Sequence, residues 1–231
     1  MTELQEKLAE VRANIADAAK TAGRDAGSVR LLAVSKTFPA ADVLEALAAG
    51  QFEFGENRVQ ELETKVPVCG PETVWHLIGH LQSNKAEKAV GLAEYIHSVD
   101  SVKLLDRINA AAEKRGKRQK LLLEVNVSGE ESKFGLSGYD ALRKTAEHAL
   151  GLANVQLLGL MTMAPLDADD AVLHATFGGL RKFRDRLERE FSVRLPELSM
   201  GMSHDYSVAI AEGATIVRIG TAIFGGRNYG V

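Results

Sequence analysis

The sequence predicts a single (β/α)8 barrel preceded by one extra helix. Eight short apolar runs rich in Val, Ile and Leu alternate with longer segments of helical periodicity, which is typical of parallel strands joined by crossover helices. A chain of 231 residues, 45% of them hydrophobic, is long enough to close such a barrel around a full core. Because no Pro-, Gly- or Ser-rich segment marks a boundary, residues 1–231 are expected to form one domain.

The elements follow in order from an amphipathic first helix. Thr2 and Gln5 form a capping-box pattern, and apolar residues recur at helical spacing from Leu4 to Ile15. An open doubly wound sheet is the competing architecture, because spacing along the chain does not give the strand order. The predicted strands lie at residues 31–35, 52–54, 74–78, 94–98, 120–127, 156–160, 197–199 and 216–219.

The clearest predicted helix lies between the sixth and seventh strands. Leu173, Phe177, Leu180 and Leu187 form one apolar stripe there, with basic residues at the intervening positions. The basic residues are most simply a solvated helix face.

Composition argues against several classes of partner. A formal net charge of −3 gives no global attraction to nucleic acid, and no apolar run approaches the roughly 18 residues that a membrane helix needs. The single cysteine, Cys69, cannot form an intramolecular disulfide, and the first residues lack the apolar core of a signal peptide. We therefore expect a cytoplasmic protein with neither nucleic-acid nor membrane partners.

Lys36 is the first candidate functional residue. It ends an apolar run, and because side chains alternate along a strand, Leu32, Val34 and Lys36 share the face that points into the barrel. Active sites of this fold lie at the carboxyl ends of the strands, where Lys36 is expected. Burial lowers the pKa of a lysine and leaves an amine that condenses with an aldehyde. The alternative is an ordinary solvated lysine at the end of a strand.

Two loops near the end of the chain are expected to bind a phosphate. The segment after the seventh strand carries Met202 and places Ser203 at the start of the next helix, where hydroxyl and backbone amide groups accept an anion. After the eighth strand, Gly220 and Thr221 lead into a short helical turn, and barrel enzymes often bind phosphate with their last two loops. One amine and one phosphate cradle together indicate pyridoxal phosphate held as a Schiff base.

Two further polar residues are predicted at the same mouth. Arg218 shares a strand face with Gly220, so its permanently charged guanidinium is expected inside the barrel, where it needs an acceptor. A pyridine nitrogen is one acceptor, and a barrel-interior ion pair with Glu124 or Glu56 is the alternative. Asn57 follows the second strand, and it either caps the next helix or reaches the 3-oxygen of the cofactor ring.

A metal site is not expected. His76 and His80 have a spacing that suits metal ligation, but no third ligand lies nearby in the sequence. Histidines in strands and loops are usually hydrogen-bonded instead.

Five segments carry a resemblance to a known family. They are Ala33-Val34-Ser35-Lys36, Phe54-Gly55-Glu56-Asn57, the run from His76 to Lys85, Gly159-Leu160-Met161-Thr162 and Ser199-Met200-Gly201-Met202-Ser203. Together they resemble the pyridoxal phosphate homeostasis protein family nearly end to end. That family is similar to the barrel of alanine racemase and of fold-type III decarboxylases, which implies a fold-type III pyridoxal-phosphate barrel. It also implies cofactor binding without an established catalytic turnover.

The resemblance implies a role for each candidate residue. It makes Lys36 the carrier of the covalent aldimine. It implies phosphate contacts from Ser203, Gly220 and Thr221, with Met202 also among the cofactor-binding residues. It assigns Arg218 to the pyridine nitrogen and Asn57 to the ring side of the pocket.

Three functions are compatible with these residues. The leading hypothesis is a barrel that binds, buffers and delivers pyridoxal phosphate, with pyridoxal-phosphate-dependent apoenzymes as recipients. The runner-up is a small racemase or lyase in which His204, His80 or Tyr229 acts as the second acid/base. The third is a phosphate-binding scaffold with Lys36 unmodified.

The expected absence of a second acid/base favours the carrier. Alanine racemases take a tyrosine for this role from an additional C-terminal domain across a dimer interface. The tail at residues 226–231 is too short to build that domain, so we expect a monomer without strong catalytic turnover.

Overall fold

The computed structural model describes residues 2–127 and 134–226 of the chain. The strands in these ranges are β1 (Arg30–Val34), β2 (Glu53–Glu56), β3 (Val74–Leu77), β4 (Tyr95–Val99), β5 (Gln119–Asn126), β6 (Leu136–Ser137), β7 (Val155–Met161), β8 (Glu197–Ser199) and β9 (Ile216–Ile219). The α-helices are α1 (Glu3–Thr21), α2 (Ala40–Ala48), α3 (Val59–Cys69), α4 (Ala86–Leu92), α5 (Val102–Lys114), α6 (Gly138–Gly151), α7 (Asp170–Phe191), α8 (Tyr206–Ala211) and α9 (Thr221–Phe224).

Eight of these strands close into a parallel barrel. Their order around the barrel is β1, β2, β3, β4, β5, β7, β8, β9, and both the β9–β1 and the β4–β5 pairings are formed, so the sheet has no open edge there. This confirms the predicted barrel and excludes the open doubly wound sheet. All eight predicted strands overlap the observed ones, because buried parallel strands leave continuous apolar runs in the sequence.

The short strand β6 was not predicted from the sequence. It pairs in parallel with the end of β5, where Leu136 lies opposite Val125. A strand of two residues is too short to show any periodicity, so sequence patterns do not detect it.

The helices surround the barrel and bury its outer face. Thr2 and Gln5 form the predicted capping box at the start of α1, which buries Leu8, Val11 and Ile15 and packs beside α2, α8 and α9. The predicted stripe on α7 is also confirmed, since its leucines and Phe177 are buried. Within the described residues, none of the helices has the length and apolar character needed to cross a membrane.

Side chains alternate between the helix layer and the barrel interior. On β1, Ala33 belongs to the core under the helices, whereas Leu32 faces the interior, where it lies close to Gly55 of β2. The interior is unusually polar for this fold, because it holds buried His76 and His97 as well as Arg218, Glu124 and Ser199. The residues that face the interior near the carboxyl ends of the strands form the candidate site.

Candidate functional site

Four neighbouring strands bring the predicted site residues to one mouth of the barrel. Leu32 of β1 pairs with Arg218 of β9, and Val34 pairs with Gly55 of β2. On the other side of β9, the backbone N–H of Arg218 donates to the carbonyl oxygen of Gly201 at 2.9 Å. The loops that follow β1, β2, β8 and β9 therefore lie side by side, and they carry Lys36, Asn57, Met202, Ser203, Gly220 and Thr221.

Lys36 lies in a constrained loop directly after β1. Its side chain is half-buried, and the next residue, Thr37, has a φ of +70°. A β-branched residue rarely adopts this left-handed conformation, which costs about 1–3 kcal/mol. The backbone N–H of Thr37 donates to Oε1 of Glu61 at 2.6 Å, and this hydrogen bond helps to hold the strained conformation.

A buried cluster fixes the residue on the other side of Lys36. Nζ of Lys65 lies 2.5 Å from Oε1 of Glu56 and donates to the carbonyl oxygen of Ser35 at 2.8 Å. The Ser35 hydroxyl donates to the same Glu56 oxygen at 2.7 Å. Burial raises the pKa of Glu56 to about 7, although the hydrogen bonds from Lys65 and Ser35 oppose that rise. The cluster holds the end of β1 and so limits where the Lys36 backbone can lie.

The turn after β9 offers backbone donors at the same mouth. α9 begins at Thr221 directly after Gly220, and the first amide groups of a helix have no partner within the helix. A Cβ atom on Gly220 would lie 3.0 Å from the carbonyl oxygen of Val34, so glycine allows this turn to approach β1. The rings of Phe38 and Phe224, 5.3 Å apart, connect the Lys36 loop to α9.

The loop after β8 differs from the prediction in its helix cap. The N-cap residue of α8 is Asp205, not Ser203, because a turn at residues 203–205 precedes the helix. The Asp205 carboxylate accepts the backbone N–H of Met202 at 2.5 Å. Ser203 is half-buried in this turn, beside Met202 and on the side of the barrel that carries Gly220.

Asn57 does not cap the helix that follows it. The N-cap position of α3 is Arg58, and no side-chain capping bond forms there, so the capping alternative is wrong. The Asn57 backbone instead lies against Gly79, where an added Cβ atom would come within 2.3 Å of the Asn57 carbonyl oxygen. The carbonyl oxygen of Gly79 in turn accepts the hydroxyl of Ser98 at 2.6 Å. These contacts fix the backbone of Asn57, whose side chain is half-buried.

Arg218 is almost fully buried in the barrel interior, with 4% of its surface exposed. Nη1 donates to Oγ of Ser199 at 2.8 Å, and Nη2 donates to the carbonyl oxygen of Thr162 at 2.9 Å. The expected alternative, an ion pair with Glu124 or Glu56, is not formed among the described residues. Burial lowers the pKa of Arg218 to about 10, although the negative charges of Asp205 and Glu124 oppose this, so the guanidinium remains a cation at neutral pH.

Glu124 is a buried acid near the same site. Burial raises its pKa to about 7, the charge of Asp100 raises it further, and Arg218 opposes the rise. Its Oε2 atom is buried without a hydrogen-bond partner among the described residues.

The two predicted histidines separate in the structure. His76 is buried in the barrel interior, whereas His80 is exposed beyond the end of β3, stacked on Phe134 with ring centroids 4.1 Å apart. The described residues contain no group of three metal-binding side chains. His204 is exposed on the turn before α8, and Tyr229 lies outside the described residues.

Sequence reasoning missed two interior residues, His97 and Ser199. Nδ1 of His97 lies 3.0 Å from Oγ of Ser199, which also accepts the hydrogen bond from Arg218. The period-two alternation of β4 and β8 places both residues on the interior face and was the available signal.

The assembled mouth combines three kinds of group. It presents a lysine amine, the backbone amides of a helical turn and a buried guanidinium that can only donate hydrogen bonds. An amine condenses with an aldehyde, helix amides bind an oxyanion, and a guanidinium binds an acceptor atom. A small phosphorylated aldehyde satisfies all three.

Comparison with known proteins agrees with this geometry. The family model for the alanine racemase N-terminal domain matches residues 7–228. Proteins named pyridoxal phosphate homeostasis protein from Aquifex aeolicus and Pseudomonas aeruginosa are each 45% identical to the chain, over 97% and 100% of it and over 98% of their own lengths.

A solved structure has the same fold along nearly the whole chain. It is PipY of Synechococcus elongatus with pyridoxal phosphate bound, which is 42% identical, has a TM-score of 0.86, and is matched over 96% of this chain and 100% of its own. The identity and the coverage show that the chain belongs to the pyridoxal phosphate homeostasis protein family, whose barrel is that of the alanine racemase N-terminal domain.

Proposed function

We propose that this protein binds pyridoxal phosphate at the barrel mouth, as a Schiff base with Lys36, and that it buffers the cofactor and delivers it to other proteins. The observation that carries the proposal is the convergence of Lys36, the α9 turn and Arg218 on one site. The relatives support it, since one 42% identical protein has been solved with pyridoxal phosphate bound.

Lys36 is the nucleophile of the proposal. Its amine adds to the cofactor aldehyde, and loss of one water molecule leaves an imine. The buried Lys65–Glu56–Ser35 cluster and the strained Thr37 hold the backbone on both sides of Lys36, so the amine is presented from a fixed position.

The phosphate is assigned to the loops after β8 and β9. Amide groups at Gly220 and Thr221 point from the start of α9, and Ser203 adds a hydroxyl group from the neighbouring loop. Met202 belongs to the same loop, where Asp205 fixes its backbone. The missing side chain at Gly220 lets this turn lie against Val34 of β1, which brings the turn close to the strand that precedes Lys36.

The ring is assigned to Arg218 and Asn57. A guanidinium has no acceptor atom, so Arg218 can only donate a hydrogen bond to the pyridine nitrogen, and the nitrogen then carries no proton of its own. An unprotonated ring withdraws electrons less strongly than a protonated one, which suits retention of the cofactor over turnover. Asn57 lies on the β2 side of the mouth, next to Lys36, and is assigned to the ring.

Buffering and delivery follow from the reversibility of the imine bond. An incoming amine, including a lysine of an apoenzyme, can replace Lys36 by exchange at the imine carbon. No net redox change is needed, because one carbon–nitrogen bond forms as another breaks.

Titration with pyridoxal phosphate tests the binding site. We expect the wild-type protein to develop a visible imine absorption band with a stoichiometry of one, and Lys36→Ala to lose it. Lys85→Ala is the matched control, because Lys85 lines the groove beside Asn57 and has no part in the proposal. An unchanged band in Lys36→Ala would contradict the assignment of Lys36.

Reactivation of an apoenzyme tests delivery. The loaded protein is mixed with a pyridoxal-phosphate-dependent apoenzyme in the presence of a scavenger that removes free cofactor. The proposal predicts that activity returns under these conditions, while an equal amount of free pyridoxal phosphate is intercepted. Equal suppression by the scavenger in both cases would argue against direct delivery.

A further inference from the structure

A continuous chain of polar side chains runs through the barrel interior from Arg218 to the opposite end. From Nη1 of Arg218 to Oγ of Ser199 the distance is 2.8 Å, and from there to Nδ1 of His97 it is 3.0 Å. Nε2 of His97 lies 2.9 Å from Nδ1 of His76, and Nε2 of His76 lies 3.3 Å from Oε2 of Glu53. Ser199 and both histidines are fully buried.

The far end of this chain is anchored at the amino-terminal ends of the strands. Arg30 of β1 lies 3.2 Å from Oε2 of Glu53 and 2.6 Å from Oε1 of Glu197. The ring of Tyr95 stacks on His76, with centroids 4.4 Å apart and planes within 1° of parallel. These contacts leave His76 little freedom to turn.

The charges at the two ends together indicate which atom donates in each link. A guanidinium can only donate, so Oγ of Ser199 accepts from Arg218 and its single hydrogen is available to Nδ1 of His97. At 3.3 Å the contact between His76 and Glu53 is electrostatic, because Nε2 of His76 has no hydrogen-bond partner among the described residues. A hydrogen on Nε2 is still favoured, since an unprotonated Nε2 would direct its lone pair at an ionised carboxylate, which can only accept. One pattern satisfies both ends, in which each imidazole is protonated on Nε2 and accepts on Nδ1.

Electrostatics agree with neutral histidines and an ionised Glu53. Burial lowers the pKa of His97 well below its usual range, and the nearby His76, Arg218 and Arg30 lower it further. Burial also lowers the pKa of His76, against the opposing effect of Glu53. Burial alone would raise the pKa of Glu53, but His76 and Arg30 lower it below its usual value.

A bulge in β4 follows directly after His97. The pairing register between β4 and β5 shifts between Ile96 and Val99, and both of these side chains belong to the core under the helices. Alternation after Ile96 places His97 in the interior, and the extra residue lets Val99 return to the outer face while the Ser98 hydroxyl donates to the carbonyl oxygen of Gly79.

We infer that Ser199, His97 and His76 are positioning residues, which hold the Arg218 guanidinium as a fixed donor toward the mouth through a one-directional hydrogen-bond chain that ends at His76, beside the Glu53 carboxylate. The cofactor part of this inference rests on the proposed function, because it takes the ring nitrogen as the acceptor that Arg218 meets.

The tautomers can be tested without any ligand. Long-range ¹H–¹⁵N spectra of the full-length protein, assigned with His97→Gln and His76→Gln variants, report which imidazole nitrogen carries the hydrogen. We expect both buried histidines to be neutral Nε2–H tautomers. An imidazolium or an Nδ1–H tautomer at either residue would overturn the inferred chain.

The effect on Arg218 is tested with Ser199→Ala. Losing a hydrogen bond to a charged group is expected to weaken pyridoxal phosphate binding roughly tenfold and to change the visible absorption band, because the donor to the ring nitrogen shifts. Ser199→Thr keeps the hydroxyl group and is expected to restore both properties.

Thr176→Val serves as the control for loss of a buried hydroxyl group. Thr176 lies on α7, where its hydroxyl donates to the carbonyl oxygen of Val172 at 2.8 Å, and the variant is expected to bind with the wild-type spectrum. If Ser199→Ala kept the wild-type affinity and spectrum, the positioning role would be contradicted and the proposed function would not. Failure of the wild-type protein to bind pyridoxal phosphate would instead contradict the proposed function.

Discussion

Lys36 lies between two backbone positions that buried or charged groups hold in place. Ser35 is fixed by Lys65 and Glu56, and Thr37 is fixed by Glu61 in a conformation that threonine rarely adopts. A nucleophile that must meet one aldehyde benefits from such a support, because the entropy of positioning is lost during folding and not during binding.

Lys65→Met is expected to destabilise the protein by about 3–5 kcal/mol, because it leaves Glu56 buried without its cation. Lys88→Met removes the exposed ion pair with Glu63, in which the Lys88 side chain is 64% exposed, and is expected to change stability by less than about 1 kcal/mol. Urea unfolding measures both. Equal effects of the two substitutions would contradict a structural role for the buried cluster.

The raised pKa of Glu124 makes the stability of the protein depend on pH. Its pKa rises from 4.5 to about 7 in the folded protein, so the folded state keeps a proton that the unfolded chain releases. Stability is therefore expected to fall as pH rises between these two values, by about 3 kcal/mol for this one group. Glu124→Gln removes this pH-dependent contribution to stability, because glutamine does not titrate.

The comparison of wild-type protein and Glu124→Gln isolates that component. Glu56 contributes in the same direction in both proteins and cancels in the difference between their unfolding free energies. We expect the variant to become more stable relative to the wild-type protein as pH rises. A difference that is constant with pH would show that Glu124 does not titrate in this way.

The hydrogen-bond partners of Arg218 could not be predicted from the sequence. Strand alternation correctly places Arg218 in the interior, but alternation does not tell which interior neighbour accepts its hydrogen bonds. Ser199 comes from a strand that starts 19 residues before β9, and only the order of strands around the barrel makes it the partner of Arg218. For the same reason, Glu124 and Glu56 were expected as partners and neither forms the pair.

At the scale of elements, strands were more predictable than helix caps. A strand buried on both faces is mostly apolar, so a short stretch of sequence is enough to locate it. A cap depends on how the preceding loop folds. Asp205 and not Ser203 is the N-cap residue of α8, because residues 203–205 form a turn that precedes the helix. The capping box of α1 was predictable because both of its partners lie within one turn.

The β9–α9 turn requires a glycine at residue 220. In Gly220→Ala the added methyl group would lie 3.0 Å from the carbonyl oxygen of Val34, so the turn must move away from β1. We expect a loss of about 1–3 kcal/mol in stability and weaker binding of pyridoxal phosphate, measured by unfolding and by titration.

Gly226→Ala is the matched control for this turn, because nothing lies within 4 Å of the added Cβ atom. It is expected to leave binding unchanged. Wild-type affinity in Gly220→Ala would remove the phosphate assignment from this turn.

On the scale of the whole molecule, closure of the barrel is what brings the site together. Residues from β1 and from β9 are far apart in the chain but adjacent in the sheet, so no part of the mouth exists until the barrel closes. The sequence predicts the number of strands, and the structure adds their cyclic order. We propose on this basis that residues 1–231 fold as one cooperative domain.

Coincident unfolding transitions test this proposal. Trp75 is the only tryptophan and is buried on β3, so its fluorescence reports the barrel, while far-ultraviolet circular dichroism reports the helices. One domain predicts that both signals change at the same urea concentration. Separate midpoints would indicate two units.

Binding of pyridoxal phosphate to Lys36 is tested by borohydride reduction of the protein after incubation with the cofactor, followed by mass spectrometric mapping of the modified lysines. Reduction converts an imine into a stable secondary amine and so records where the cofactor was bound. A Schiff base at the proposed site predicts one phosphopyridoxyl group, on Lys36. Labelling scattered over surface lysines, with Lys36 unmodified, would contradict it.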